Sequence, residues 1–238
     1  MSLVIQLPVS APSKLGTVSS GDLSPFLPYD TEAYDFWNFR SGTLKATNDN
    51  SKNLSPTGSY SLADSAIKFN SGGGNNLVTG LADNGELSFT GVIAPIGNAS
   101  GALIIAGNYT NNPVAGVSIY KTASQTLQVN AASKQSNAGS FDATKPIFFG
   151  VSISKLQNTL SIVIHQNSGL SFEASGSFFD TAYASGASNI LLGSLVGGLT
   201  SQLSFYEFAT YNKALTQAEL VRKYKKAQVR MSGLNVAI

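Results

Sequence analysis

The chain has 238 residues, of which 12% are charged, with no cysteine and a formal net charge of +2 at pH 7. This length can bury a large core in one domain, and the lack of cysteine excludes a disulfide framework and a thiolate metal site. The weak net charge argues against nucleic acid binding. The sequence has no apolar run of about 18 residues, the length that a membrane-spanning helix needs. Small polar loops, with 23 glycines, are typical of a secreted or virion β protein.

Residues 1–28 have the composition of an extended arm, with prolines at positions 8, 12, 25 and 28. Each proline lacks a backbone donor and interrupts a continuous ladder, although Leu3–Leu7 has the apolar pattern of a short strand. We expect the arm to dock on a neighbouring subunit, and a disordered tail is the alternative. Met1–Pro8 lacks the basic region of a signal peptide, so release with a phage particle is the expected route out of a cell.

An aromatic strand is predicted at Tyr34–Phe39, which carries the only tryptophan, Trp37. Trp37 is either a sheet-packing core residue or a platform on which a sugar stacks. A polar loop follows. Carboxylate and carbonyl oxygens from loops are the ligands that calcium takes. Two sets of residues could contribute: Asp49 with Asn48 and Asn50, or Asp83 with Asn84. Calcium stays an open alternative, and no other cofactor is expected.

Alternation of apolar and polar residues predicts a series of short strands. The clearest is a hairpin over Pro146–His165, in which both strands alternate with a period of two residues. Further strands are predicted at 66–69, 86–94, 102–106, 117–120 and 189–193. Tyr109, in an asparagine-rich loop, and Tyr120, at a strand end, join Trp37 as candidate glycan-binding residues.

The C-terminal stretch predicts a strand over 203–211, a turn and a helix. The strand period slips between Phe205 and Phe208, which indicates a bulge. Thr216 and Glu219 have the spacing of a capping box, so the helix is expected to begin at Gln217. Its apolar stripe consists of Leu220, Tyr224, Ala227 and Met231. The basic residues off this stripe are expected to form a solvated face: Arg222, Lys223, Lys225, Lys226 and Arg230.

This closing segment resembles that of laminin-G-like, concanavalin A-like jelly-roll domains, which carry the pattern I-D-E-V-x-I-Y-N-R-A-L-S-x-A-E-I. The residues that match identically or by type are Glu207, Phe208, Tyr211, Asn212, Lys213, Ala214, Leu215, Thr216, Ala218, Glu219 and Leu220. Tyr206 stands where the family has aspartate. The hairpin at Pro146–His165 and the strand at Asn189–Gly193 are similar to the preceding strands of the family. The resemblance implies an all-β, two-sheet jelly-roll sandwich over residues 29–238 with a short C-terminal helix.

Catalytic groups are hard to find in the sequence. Retaining glycosidases need two carboxylates about 5–5.5 Å apart, and the E-x-D-x-x-E strand motif of the related glucanases is missing. His165 is the only histidine, and no G-x-S-x-G elbow accompanies it. We therefore expect no catalytic residues, no metal site built on histidine, and no enzymatic activity.

Three functions fit these observations. The first is a non-enzymatic structural or adhesion component of a bacteriophage virion, such as a tail, spike or decoration protein. It would be a homo-oligomer that contacts other virion proteins through the N-terminal arm and binds a host surface glycan. The alternative is a carbohydrate-binding lectin module of a bacterial surface or secreted protein. A glycoside hydrolase is the third, disfavoured by the missing carboxylate pair.

Overall fold

The computed structural model describes residues 29–72, 74–96, 101–178, 182–194 and 201–238. The arm predicted at residues 1–28 lies outside the described residues, as does its strand at Leu3–Leu7. The described residues form two large β-sheets and one α-helix. Within this part of the chain, no helix has the length and apolar character needed to cross a lipid bilayer.

The strands are numbered in chain order and divide between the two sheets. Sheet I contains β1 (Asp35–Asn38), β3 (Tyr60–Ala63), β4 (Ala66–Ser71), β6 (Glu86–Ile93), β13 (Ile147–Ser154), β14 (Thr159–His165), β15 (Ser171–Ser177) and β17 (Ser201–Tyr211). Sheet II contains β2 (Ser55–Thr57), β5 (Asn76–Val78), β7 (Leu103–Gly107), β10 (Val117–Lys121), β11 (Thr126–Ala131), β12 (Lys134–Ser140) and β16 (Leu191–Gly193). Two short strands, β8 (Thr110–Asn111) and β9 (Val114–Ala115), form a separate hairpin. The helix α1 spans Gln217–Ser232.

All the pairings between these strands are antiparallel. Sheet I runs in the order β15-β14-β13-β6-β17-β4-β3, with β1 also paired to β17, and sheet II runs β12-β11-β10-β7-β16-β5-β2. Neighbours such as β13 and β6 are far apart in sequence, as expected for a jelly roll rather than a simple meander. The predicted two-sheet sandwich with a C-terminal helix is confirmed.

The hydrophobic core lies between the two sheets, and the alternation of side chains explains it. On β13, Phe149 and Val151 face this core, whereas Phe148 faces the opposite side of sheet I. Side chains alternate across a strand, so sheet I presents two apolar faces, one to sheet II and one to α1. The outer apolar face is therefore covered by the helix.

Helix α1 begins at Gln217 as predicted, behind a capping box formed by Thr216 and Glu219. Leu220 packs over Gly150 on β13, where an added Cβ would lie 3.1 Å from Leu220 Cδ2. Glycine thus permits the close approach of helix and sheet. The predicted bulge is also confirmed, because the pairing of β17 with β6 shifts register between Phe205 and Glu207.

The expectation of a fully solvated basic face on α1 is wrong at two positions. Lys223 is buried, with its Nζ 2.9 Å from Asp30 Oδ2 and also paired with Glu32. The Arg230 side chain is only 9% exposed, and it donates two hydrogen bonds of 2.7 Å to Glu207. Each cation meets an acid that lies elsewhere in the chain, which compensates the cost of its burial.

Candidate functional site

The candidate site is the outer face of sheet II, where strands β10, β11 and β12 lie side by side. Tyr120 on β10 is opposite Gln128 on β11, and it is opposite Ile104 on β7 at its other side. Next to it, Asn130 on β11 is opposite Gln135 on β12. Since residues two apart share a face, these side chains project together from the sheet.

The polar groups of this face form a network around the Tyr120 hydroxyl. The hydroxyl donates to Gln128 Oε1 and accepts a 2.6 Å hydrogen bond from Gln135 Nε2. Gln135 Nε2 also lies 3.2 Å from Asn130 Oδ1. Three strands therefore hold the half-buried tyrosine ring in place, with its polar tip fixed among amides.

The end of β10 is anchored from beneath this face. Lys121 points the other way from Tyr120 and is fully buried. Its Nζ donates to the carbonyl oxygens of Gly101, at 2.8 Å, and Thr122, at 3.1 Å. Burial lowers the pKa of the Lys121 amine. These two hydrogen bonds hold the backbone directly after Tyr120 in place and so restrict the position of the Tyr120 ring.

The face is polar but uncharged. Gln128, Asn130 and Gln135 keep amide groups beyond those used in the network, and the exposed Asn137 adjoins them opposite Gln128. Amides offer both donors and acceptors, which is the chemistry that vicinal hydroxyl groups need. An aromatic ring beside them supplies an apolar platform. Helix α1 makes its principal contacts with strands of sheet I, so it leaves this face uncovered.

The structure does not bring the other two candidate residues to this face. Trp37 is only 1% exposed and stacks on Phe208 in the core, so it is not available as a sugar platform. This corrects its proposed binding role and supports the packing alternative. Tyr109 is half-buried in the loop after β7. It follows the end of β7, and it takes no part in the hydrogen bonds of the network around Tyr120.

The oxygen atoms considered for calcium take part in hydrogen bonds within the protein. Asn48 Oδ1 accepts from Phe36 N at 2.8 Å, and Asp49 Oδ1 accepts from Ser51. Asp83 Oδ2 accepts from the Tyr183 hydroxyl at 2.6 Å and from Gly186 N at 2.8 Å. Among the described residues, no group of three or more acidic or histidine side chains could hold a metal ion. Calcium binding stays an untested alternative.

The only histidine lies in a chain of contacts on the outer face of sheet I. His165 Nε2 is 2.9 Å from Glu173 Oε1, and Nδ1 is 3.2 Å from Ser171 Oγ. The ring also stacks on Tyr224 of α1, with the centroids 4.1 Å apart. Two strands and the helix meet at this point, and we interpret the contacts as packing. The absence of catalytic residues stays a prediction.

Comparison with solved structures places the fold among known β-sandwiches. Trypanosoma rangeli sialidase in complex with sialic acid is 13% identical, with a TM-score of 0.61 over 84% of this chain and 34% of that chain. The botulinum neurotoxin serotype D binding domain is 14% identical, with a TM-score of 0.58 over 82% of this chain and 51% of that chain. Domain 4 of an extracellular GH43 arabinanase from Geobacillus stearothermophilus, in complex with arabinotriose, is 14% identical, with a TM-score of 0.55 over 80% of this chain and 97% of that chain.

At these identities the similarity shows the fold alone. The chain spans about a third of the length of the sialidase chains that it matches. No protein-family model matches the sequence, and no curated protein matches it either.

The amide network depends on two strands that the sequence pattern did not predict. Tyr120 was a candidate, but β11 and β12 were not predicted, so Gln128, Asn130 and Gln135 had no assigned position. The alternation in Thr126–Ala131 was the signal available, because Leu127, Val129 and Ala131 are buried and the residues between them face outward.

Proposed function

We propose that this chain is a carbohydrate-binding module that binds a neutral glycan on the outer face of sheet II. The observation that carries the proposal is the half-buried Tyr120 ring, held by Gln128 and Gln135 on the outer face of sheet II. A sugar ring stacks its C–H groups on an aromatic ring, while its hydroxyl groups bond to neighbouring amides. Both kinds of contact are available at this position.

The charge of the face selects the class of glycan. The outward side chains of β10, β11 and β12 around Tyr120 are amides and hydroxyls, and none of them is acidic or basic. Charged sugars are usually bound by an opposite charge, most often arginine. A neutral oligosaccharide therefore fits this face better than a sialylated one. The solved structure of an arabinanase domain with arabinotriose shows a neutral sugar on a domain of similar fold.

A glycan array, followed by calorimetry with the best neutral ligand, tests the proposal. Tyr120→Ala should weaken binding by about tenfold or more, because removing a central aromatic anchor costs about 1–2 kcal/mol or more. Tyr120→Phe keeps the ring and should retain most of the affinity.

Tyr60→Ala is the matched control, because Tyr60 is 42% exposed on an edge strand of sheet I. It should leave glycan binding unchanged. Binding that Tyr120→Ala does not affect, or an array in which no neutral glycan binds, would contradict the proposal.

The virion hypothesis and the lack of enzymatic activity stay predictions. In a virion adhesin the same sheet face would contact the host glycan, while residues 1–28 would join neighbouring subunits. Detection of the chain in purified particles by mass spectrometry would support this placement. Hydrolysis of a β-glucan or a bacterial surface polysaccharide by the purified protein would contradict the expectation that it is not an enzyme.

A further inference from the structure

A polar cavity lies on the other side of the sandwich from the Tyr120 face. It has a volume of about 370 Å³ and sits on the outer face of sheet I, beside the N-terminal end of α1. Polar side chains dominate its lining, and no aromatic residue takes part. The lining residues used below are Glu86, Ser154, Gln157, Thr159, Ser161 and Ser175.

Hydroxyl side chains form the floor of this cavity. Ser88, Ser152, Ser161 and Ser175 are direct cross-strand neighbours on β6, β13, β14 and β15. A second row, one step further along the same strands, contains Glu86, Ser154 and Thr159. Sheet I therefore changes along its outer face from an apolar half under α1 to a half lined by hydroxyl groups and one carboxylate.

The loop before α1 is bound to two serines of the first row. Leu215 N donates to Ser88 Oγ at 2.9 Å and to Ser152 Oγ at 2.8 Å. Ser88 Oγ lies 2.9 Å from Lys213 O. These two serines hold the loop in position, so they have a structural role.

Hydrogen-bonding capacity remains at the other polar groups of the lining. Ser161 Oγ and Ser175 Oγ are 3.0 Å apart, and a bond between them uses only one of their two protons. Glu86 Oε1 accepts from Ser154 Oγ at 3.2 Å and from Leu156 N at 2.8 Å, which fixes the carboxylate at the end of the cavity. Its second oxygen and the Gln157 amide add acceptors and donors at the same end.

We propose that this cavity is a binding site for a small, neutral, polyhydroxylated ligand of monosaccharide size. Its volume lies in the range of small-molecule sites, and the polar side chains of its lining can bond to hydroxyl groups. The lining carries one acidic residue, Glu86, and one basic residue, Lys213, so its net charge favours neither an anion nor a cation. The lack of an aromatic surface disfavours a flat apolar ligand. A lone carboxylate does not provide the six to eight oxygen ligands that calcium takes.

This site is separate from the face around Tyr120 and does not rest on the function proposed for that face. The two lie on different sheets, on opposite outer faces of the sandwich. A protein that binds no glycan at Tyr120 could still bind a monosaccharide beside α1.

The test is a two-dimensional NMR titration of the full chain with free D-glucose, D-galactose, D-mannose and N-acetyl-D-glucosamine. At least one sugar should shift the amide signals of the cavity residues in a saturable manner. Ser175→Val removes a spare hydroxyl from an exposed strand position, and Glu86→Gln keeps an acceptor while removing the charge. Each should weaken binding by about fivefold, the effect of losing one hydrogen bond.

Two controls separate this site from general effects. Ser171→Val is a matched change on the same face of β15, outside the cavity, and it should leave the titration unchanged. Tyr120→Ala should also leave it unchanged, so a failure at the sheet II face is distinguishable from a failure here. The proposal is overturned if none of the four sugars shifts the cavity signals, or if Ser175→Val and Glu86→Gln titrate as the unsubstituted chain does.

Discussion

The buried pair between Glu207 and Arg230 joins the last strand to the helix, and its removal gives a sharp test of how α1 is held. The two side chains are only 4% and 9% exposed, and both hydrogen bonds measure 2.7 Å. Glu207→Gln removes the negative charge but keeps one acceptor oxygen. The guanidinium then stays positive in a buried site, with one neutral acceptor oxygen and the Phe36 ring, 5.1 Å away, as partners.

The expected cost follows from the burial of the pair. Removing one partner of a buried ion pair costs about 3–5 kcal/mol. Because glutamine retains one hydrogen bond, we expect Glu207→Gln to lower the free energy of unfolding by about 2–4 kcal/mol. For a domain of this size, that corresponds to a fall in melting temperature of roughly 5–15 °C.

Urea unfolding followed by circular dichroism measures this cost. Asp64→Asn breaks an ion pair with Lys68 in which the aspartate is 80% exposed, and it should have little measurable effect. The double variant Glu207→Leu with Arg230→Met should recover most of the lost stability, because it leaves no charge buried. The docking of α1 through this pair is refuted if Glu207→Gln is no more destabilising than Asp64→Asn.

Three further predictions concern the ends of the sandwich. Thr216→Ala should lower the free energy of unfolding by about 0.5–2 kcal/mol through loss of the helix cap, and urea unfolding that matches the unsubstituted chain would contradict this. Burial alone would raise the pKa of Asp30, but Lys223 outweighs it and lowers the pKa. The stability from this pair should therefore be complete above the usual carboxyl range near pH 4 and lost as the pH falls through the lowered pKa. In thermal melts, the melting temperature of Asp30→Asn should fall less on acidification than that of the unsubstituted chain. Deleting residues 1–20 should leave the melting temperature nearly unchanged and abolish oligomers in light scattering; a truncated protein that still assembles would refute the arm.

The architecture was predictable where the signal is local. The hairpin of β13 and β14 alternates with a clear period, and the capping box marks the first residue of α1 to within one position. These features depend on residues within a few positions of one another, and the structure confirms them.

Contacts between distant residues were not predictable in this way. Lys223 looks solvated on a helical projection, yet it meets Asp30, 193 positions earlier in the chain. The Tyr120 network depends in the same manner on the register of β10, β11 and β12. Only the pairing of strands shows that Gln128 and Gln135 both reach one hydroxyl group, or that four serines form a row.

The pair between Asp30 and Lys223 also places the two ends of the described chain in one layer of the sandwich. It ties the first described residues to α1, and Ile238 at the other end is buried against the same helix-covered layer. Asp30 and Ile238 therefore both lie on the side of sheet I that α1 covers. The Tyr120 face lies on the other outer side of the sandwich, so ligand contact there would not disturb the layer that holds these two ends of the described chain.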